Sequence, residues 1–182
     1  ANLGLEVNND SLQKTCEELL FNKDLPIAFE SSKSKFTLTN SDPSALTMQT
    51  CIGQGNTMVS PLHMAMVAGA ICNDGELMTP YLVDHTENAN GVLIRENEPM
   101  VNRTLLSKKE AKVLESFMEA VVTDGTGSKL NGQSYKAYGK TGTAQVSDSL
   151  DQTNAWFVGY AKKEGYQDIA IAVVVEDSGA GS

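Results

Sequence analysis

Soft metal ligands are scarce in this chain: its 182 residues include three cysteines, Cys16, Cys51 and Cys72, and two histidines, His63 and His85. The cysteines lie far apart with no C-x-x-C, so neither a zinc site nor a disulfide framework is legible, and no cofactor is expected. An odd number of thiols leaves the redox compartment open. Positive charge is also in deficit. Fourteen Lys and Arg face 23 Asp and Glu, a net charge of −9 at pH 7 with a pI near 4.7, which disfavours nucleic acid as a partner. Nowhere do about 18 apolar residues follow one another, and no basic-then-apolar leader opens the chain, so a membrane anchor is expected outside it. What remains is an ordinary globular composition, 41% apolar and 20% charged with 15 Gly and 5 Pro, and with no repeat or linker to divide it. One domain, or a piece of one, is expected over residues 1–182.

Asp10 with Gln13 has the pattern of a capping box ahead of Leu12, Cys16, Leu19 and Leu20, whose spacing predicts a first helix ending near Phe21. Residues 22–42 show no sustained period and read as a long connection. Pro43 opens a short helical stretch toward Ile52. A clearer helix follows, with Ser60 as N-cap, Pro61 in the first turn, Met64, Val67, Ala68 and Ile71 on one face, and Asn73, Asp74 and Gly75 as its stop. Residues 81–83 and 92–94 flank Asn88 to Gly91 and predict a small hairpin outside the core. Ser107 and Glu110 match a capping box for a helix carrying Val113, Leu114, Phe117, Met118 and Val121, which Gly125 ends. Strands are predicted at 136–146, 155–161 and 169–175, the last two as a hairpin. Helices first and an antiparallel sheet last imply an α+β class rather than a β-α-β nucleotide fold.

The string Tyr138, Gly139, Lys140, Thr141, Gly142, Thr143, Ala144, Gln145 carries the chemistry, followed by Asn154 to Tyr160 (NAWFVGY). A P-loop would need glycine at 134, where Ser134 stands, and a helix after the lysine. Gly53 and Gly55 begin a dinucleotide fingerprint, but its third glycine would fall at Met58. Both readings fail. A Lys-Thr-Gly triplet alone arises by chance and carries little. Its context carries more. GKTGTAQ followed by AWFVGYA, together with Ile52 to Ala65 (IGQGNTMVSPLHMA), Gly75 and Met78-Thr79-Pro80, resembles the transpeptidase domain of penicillin-binding proteins, relatives of the serine β-lactamases. The resemblance spans roughly residues 45–175.

That resemblance implies an antiparallel sheet flanked by helices in an α/β/α sandwich, incomplete in this chain. It also implies D,D-transpeptidation on peptidoglycan stem peptides, with β-lactams as mimics of the acyl donor. A donor ending in D-Ala-D-Ala offers a carboxylate and an extended backbone that an edge strand can accept. Lys140 would place positive charge near the carboxylate, and the Thr141 and Thr143 hydroxyls would donate to it. Gly142 would allow close approach. In the family, the backbone N–H at the position of Thr143 joins that of the nucleophilic serine as an oxyanion hole, a donor worth about 3 kcal/mol of transition-state stabilisation.

The family's S-x-x-K nucleophile and S-x-N motif are expected upstream of Ala1, since no S-x-N occurs in the chain. Ser11 to Lys14 and Ser32 to Lys35 match S-x-x-K, but lie too close to Lys140 for the family layout; they read as a surface helix turn and a loop. Residues 176–182 resemble the loop leading into a last helix that would cover the sheet. The resemblance thus makes this the C-terminal portion of one transpeptidase domain, inactive without the missing N-terminal half, on the extracytoplasmic face of a membrane. Cell-division or elongation proteins are further expected partners. D,D-carboxypeptidase, serine β-lactamase and a non-catalytic β-lactam sensor or scaffold share the same strand and stay as alternatives. Trp156 and Phe157 read as sheet packing, the Gly125 to Gly127 loop as a helix stop, and His63 as structural.

Overall fold

A helix that is apolar on every side must be enclosed, and the run from Pro61 to Cys72 meets that condition. The structure, a computed structural model describing residues 2–147 and 150–178, puts this run at the centre as α4, after α1 (Asn2–Glu6), α2 (Asn9–Glu18) and α3 (Ser44–Thr50). The Ser60 hydroxyl accepts from His63 N at 3.2 Å, and Pro61 occupies the first turn, where its missing N–H costs nothing. Met66 and Ala70 pack with Leu20, Leu25 and Leu77. Ala68 and Ile71 pack with Met118, Tyr138 and Tyr160.

The second cluster joins α4 to α5 (Lys108–Thr123) and to a three-stranded antiparallel sheet of β5 (Lys136–Ser147), β6 (Leu150–Lys162) and β7 (Ile169–Val175), in the order β5-β6-β7. The predicted capping box forms on α5: Glu110 N donates to Ser107 Oγ at 3.3 Å, and Ser107 N to Glu110 Oε2 at 2.8 Å. Strand alternation then sorts the sheet. Tyr138, Tyr160 and Ala170 stand in register on the helix-facing side, where the two tyrosine rings stack at 4.8 Å. On the opposite side Ile169, Ile171, Val173 and Val175 face outward, and the Phe157 ring lies over Gly139, where an added Cβ would come within 2.3 Å of it. The α+β class is borne out, and among the described residues helices cover one face of the sheet.

Three local expectations shift. The N-cap of α2 is Asn8, whose Oδ1 accepts from Ser11 N at 3.1 Å; the Asp10 carboxylate instead receives Asn40 N at 3.2 Å, thirty residues away. The hairpin turn falls at Asn88 to Gly91 as expected, but its strands are β2 (His85–Glu87) and β3 (Leu93–Glu96), leaving residues 81–83 unpaired in any strand. A pair absent from the sequence reading, β1 (Glu76–Met78) with β4 (Val101–Thr104), closes the base of this excursion. The 22–42 connection is long, as expected, and is pinned by Asn22, whose side chain bonds both Phe36 N and Phe36 O. Of residues 176–182, those at 179–182 lie outside the described residues; Asp177 N and Ser178 N turn back onto Asn154 Oδ1 and Thr153 O.

Candidate active site

Because β5 pairs only with β6 among the described residues, its other edge is open, and the Lys140 to Thr143 segment lies on that edge strand. The N–H and C=O of one strand residue point to the same side, and the carbonyls of Thr141 and Thr143 both take partners away from β6. Lys140 Nζ donates to Thr141 O at 2.7 Å, and Gln54 Nε2 to Thr143 O at 3.0 Å. The N–H groups of Thr141 and Thr143 therefore aim at the same open edge, the direction an added strand or a developing oxyanion requires.

Alternation sets the side chains on two faces. Lys140 shares the helix-facing side with Tyr138 and reaches a groove of about 670 Å³ between α4, α5 and the strand edge. Met64, Val67, Ile71, Phe117, Val121 and Trp156 make its walls, and Lys140 is the one ionisable side chain among the residues lining it. An exposed ammonium at the rim of an apolar groove suits a carboxylate-bearing ligand with apolar bulk, since the described residues lining the groove add no other charge. Gly142 sits opposite Trp156, and an added Cβ there would lie 3.3 Å from the Trp156 Cβ. The indole thus stands in the groove wall beside the candidate site, whereas Phe157 packs over Gly139 on the far face, the sheet packing expected of both rings. On that far face Thr141 Oγ1 lies 2.5 Å from Thr126 Oγ1 in the loop after α5.

Lys140, Thr141, Gly142 and Thr143 form one contiguous string in the sequence, whereas Gln54 and Thr126 meet them only in the fold, because both contacts join loops to a distant strand. The matching IGQG string was the available signal for Gln54, and the Gly-Thr-Gly loop for Thr126. Ser11 lies exposed on α2, and Ser32 lines a separate surface hollow with Asp24 to Ser31, so neither S-x-x-K match meets the groove. Burial pushes the Cys16 and Cys72 thiols up to about 11, so neither supplies a thiolate near neutral pH. His63 is fully buried, with Nε2 2.8 Å from Leu19 O and its ring 4.9 Å from that of Phe21, a structural position as expected. No cluster of metal-ligating side chains occurs among the described residues.

The family model described as penicillin binding protein transpeptidase domain matches residues 1–182, the whole chain. The chain belongs to this family. The penicillin-binding-protein relationship recurs in individual relatives. The peptidoglycan D,D-transpeptidase PbpA of Mycolicibacterium smegmatis is 34% identical over 142 residues, covering 76% of this chain and 28% of the relative. Penicillin-binding protein 3 of Bacillus subtilis is 27% identical over 179 residues, 95% of this chain and 25% of the relative. Among solved structures, the D,D-transpeptidase domain of a peptidoglycan glycosyltransferase from Eggerthella lenta superposes with a TM-score of 0.81 at 31% identity, covering 97% of this chain and 45% of that one. The chain therefore spans about a quarter of the length of the curated relatives it matches.

Proposed function

We propose that the protein containing this chain is a D,D-transpeptidase that cross-links peptidoglycan, with Lys140, Thr141, Gly142 and Thr143 forming the strand that grips the acyl donor. The observation that carries the reading is the placement of Lys140, the one ionisable side chain among the described residues lining an apolar groove, on a strand edge that those residues leave open within this family's fold. Lys140 and the two threonine hydroxyls hold the donor carboxylate; the edge amides pair with its backbone; the Thr143 N–H stabilises the oxyanion. A serine oxygen attacks the penultimate D-Ala carbonyl, the amide C–N bond breaks, and D-alanine departs as a free amine after protonation. A stem-peptide amine then attacks the ester and releases the serine. This chain holds no S-x-N and, among the described residues, no groove-lining S-x-x-K, so in this reading the nucleophilic serine is supplied from outside these residues, and the site faces the extracytoplasmic side, where peptidoglycan is assembled. Stem peptides and β-lactams are its ligands; division or elongation proteins are its expected neighbours.

The test uses the protein at its full natural length. A fluorescent penicillin should label it covalently, and Lys140→Ala should lower the labelling rate by roughly ten- to a hundredfold, the scale of a lost charge-assisted hydrogen bond. With a D-Ala-D-Ala donor and an acceptor amine, the joined product should exceed the hydrolysed one. Predominant hydrolysis would favour a carboxypeptidase, rapid turnover of the penicillin a β-lactamase, and a stable adduct without peptide turnover a sensor. Equal labelling of the Lys140→Ala protein would remove the strand from the site.

A further inference from the structure

Thr126 follows α5 in a loop whose position is tightly set. Gly127 N donates to Val121 O at 2.9 Å, Ser128 N to Gly125 O at 3.3 Å and Leu130 N to Gly127 O at 3.0 Å. An added Cβ on Gly125 would clash with Val121 O at 2.9 Å, and one on Gly127 would crowd the same oxygen at 3.2 Å, so the two glycines let the loop lie close on the end of α5. That placement brings Thr126 Oγ1 to 2.5 Å from Thr141 Oγ1, fifteen residues away on the edge strand. α5 itself is anchored on the sheet by Met118 and by the bond of Tyr160 to Glu115.

A hydroxyl has one proton and two acceptor sites. If Thr141 gave its proton to Thr126, a carboxylate arriving at the strand edge would meet a lone pair rather than a donor. If Thr126 gives its proton to Thr141, the Thr141 O–H is left to point at the anion, and the chain of two hydrogen bonds polarises in the direction that strengthens the outer one. An anionic ligand selects the second arrangement. Resting on the reading of β5 as the donor-gripping strand, we infer that Thr126 is a positioning residue, which sets the rotamer and the proton direction of Thr141 for the carboxylate of the acyl donor. Thr126 touches Thr141, not the reacting carbonyl, and its effect belongs to binding that persists unchanged into the transition state.

The experiment measures acylation of the full-length protein by a penicillin, separating the dissociation constant of the initial complex from the acylation rate constant, for Thr126→Val, Thr126→Ser, Thr141→Val and the Thr126→Val, Thr141→Val pair. Thr126→Val keeps the shape and removes the proton; it should raise the dissociation constant roughly three- to tenfold and leave the rate constant within about twofold, the signature of lost uniform binding. Thr126→Ser should restore the native constant, and Thr126→Val should add little once Thr141 is valine. Additive losses in the double variant, failure of serine to rescue, or an effect on the rate constant alone would overturn the inference in favour of a loop-packing role. If the serine variant behaves as native while valine unfolds, the Thr141→Val background, with the loop left intact, should show the same rise in dissociation constant, and its absence overturns the inference. Normal acylation of Lys140→Ala would instead overturn the strand assignment beneath it.

Discussion

Gln54 Nε2 donates to the backbone oxygen of Thr143 at 3.0 Å, a contact across 89 residues that ties the glycine-flanked loop after α3 to the open edge of β5. That oxygen is an acceptor an extended donor peptide would use if it joined the sheet as a fourth strand. The side-chain amide therefore occupies the position of a ligand N–H, and a bound peptide must displace it. Gln54→Ala should tighten the initial complex with a peptide donor by roughly two- to tenfold, the worth of one neutral hydrogen bond no longer competed for. Binding measured for wild type and variant checks this; weaker binding by the variant would mean that Gln54 serves the ligand instead.

Glu115 joins three elements. Its Oε2 accepts from Tyr160 Oη and Lys162 Nζ, each at 3.1 Å, and Lys162 also donates to Cys72 O at 3.2 Å, a carbonyl at the end of α4. Burial opposes ionisation of Glu115, but hydrogen bonds from Lys112 and Lys162 outweigh it and hold the carboxyl below its ordinary 4.5. A depressed carboxylate contributes stability that is complete above about pH 4.5 and lost as pH falls through the folded value. Lys162 is likewise burdened by burial, yet its bond to Glu115 raises it above its ordinary 10.5, so its share is complete below that and lost as pH rises through the folded value. Glu115→Ala should cost about 2 kcal/mol, since it strands two partly buried donors, and Glu115→Gln less. Denaturant unfolding near neutral pH checks the cost. A native-like midpoint for Glu115→Ala would show that the network contributes nothing.

The elements legible in the sequence are those with strong local signals. α4 and α5 announce themselves by Ser60, Pro61 and the Ser107–Glu110 box, and the structure uses each of those caps as read. β5 to β7 show an alternation whose helix-facing members, Tyr138, Tyr160 and Ala170, line up in register. β1 and β4 were invisible because strands of three and four residues carry too few alternations to register against their surroundings. Asn8 was missed because two side chains with capping chemistry, Asn8 and Asp10, stand two residues apart, and Asp10 is taken by Asn40, a contact no local rule reveals. The same limit governs the site. Lys140 to Thr143 form one contiguous string, while Gln54, Thr126 and Trp156 meet it only through tertiary packing.

His63 gives the molecule an acid limb above the carboxylate range. Burial lowers its pKa below the ordinary 6.5, partly offset by the bond to Leu19 O. Below about pH 6.5 the unfolded chain binds a proton that the folded one refuses, so stability present above that pH falls as pH drops toward the folded value, at up to about 1.4 kcal/mol per pH unit. His63→Gln should lower stability at pH 7, having lost ring contacts with Phe21, but flatten the slope just below about pH 6.5. Unfolding free energies across that window decide it, and an unchanged slope in the variant would assign the limb to other groups.

The sheet face turned away from α4 and α5 carries the last prediction. Ile169, Ile171, Val173 and Val175 stand 40–65% exposed on β7, and the first two, with Phe157, Ala137, Leu130 and Tyr166, line an apolar hollow of about 660 Å³. Soluble monomers rarely present so continuous an apolar surface. The 182-residue chain in isolation should therefore bind a hydrophobic dye and self-associate. Replacing Ile171 and Val173 together by lysine should suppress both behaviours while leaving the far-ultraviolet circular dichroism intact, because alternate strand positions turned to solvent tolerate charge without moving Ala170, Ala172 or Val174 from the helix-facing side. In the full-length protein the same pair should instead lower the melting temperature, as charge is driven under whatever covers the face. A monodisperse isolated chain with no dye binding would mean that the face is closed from within these residues.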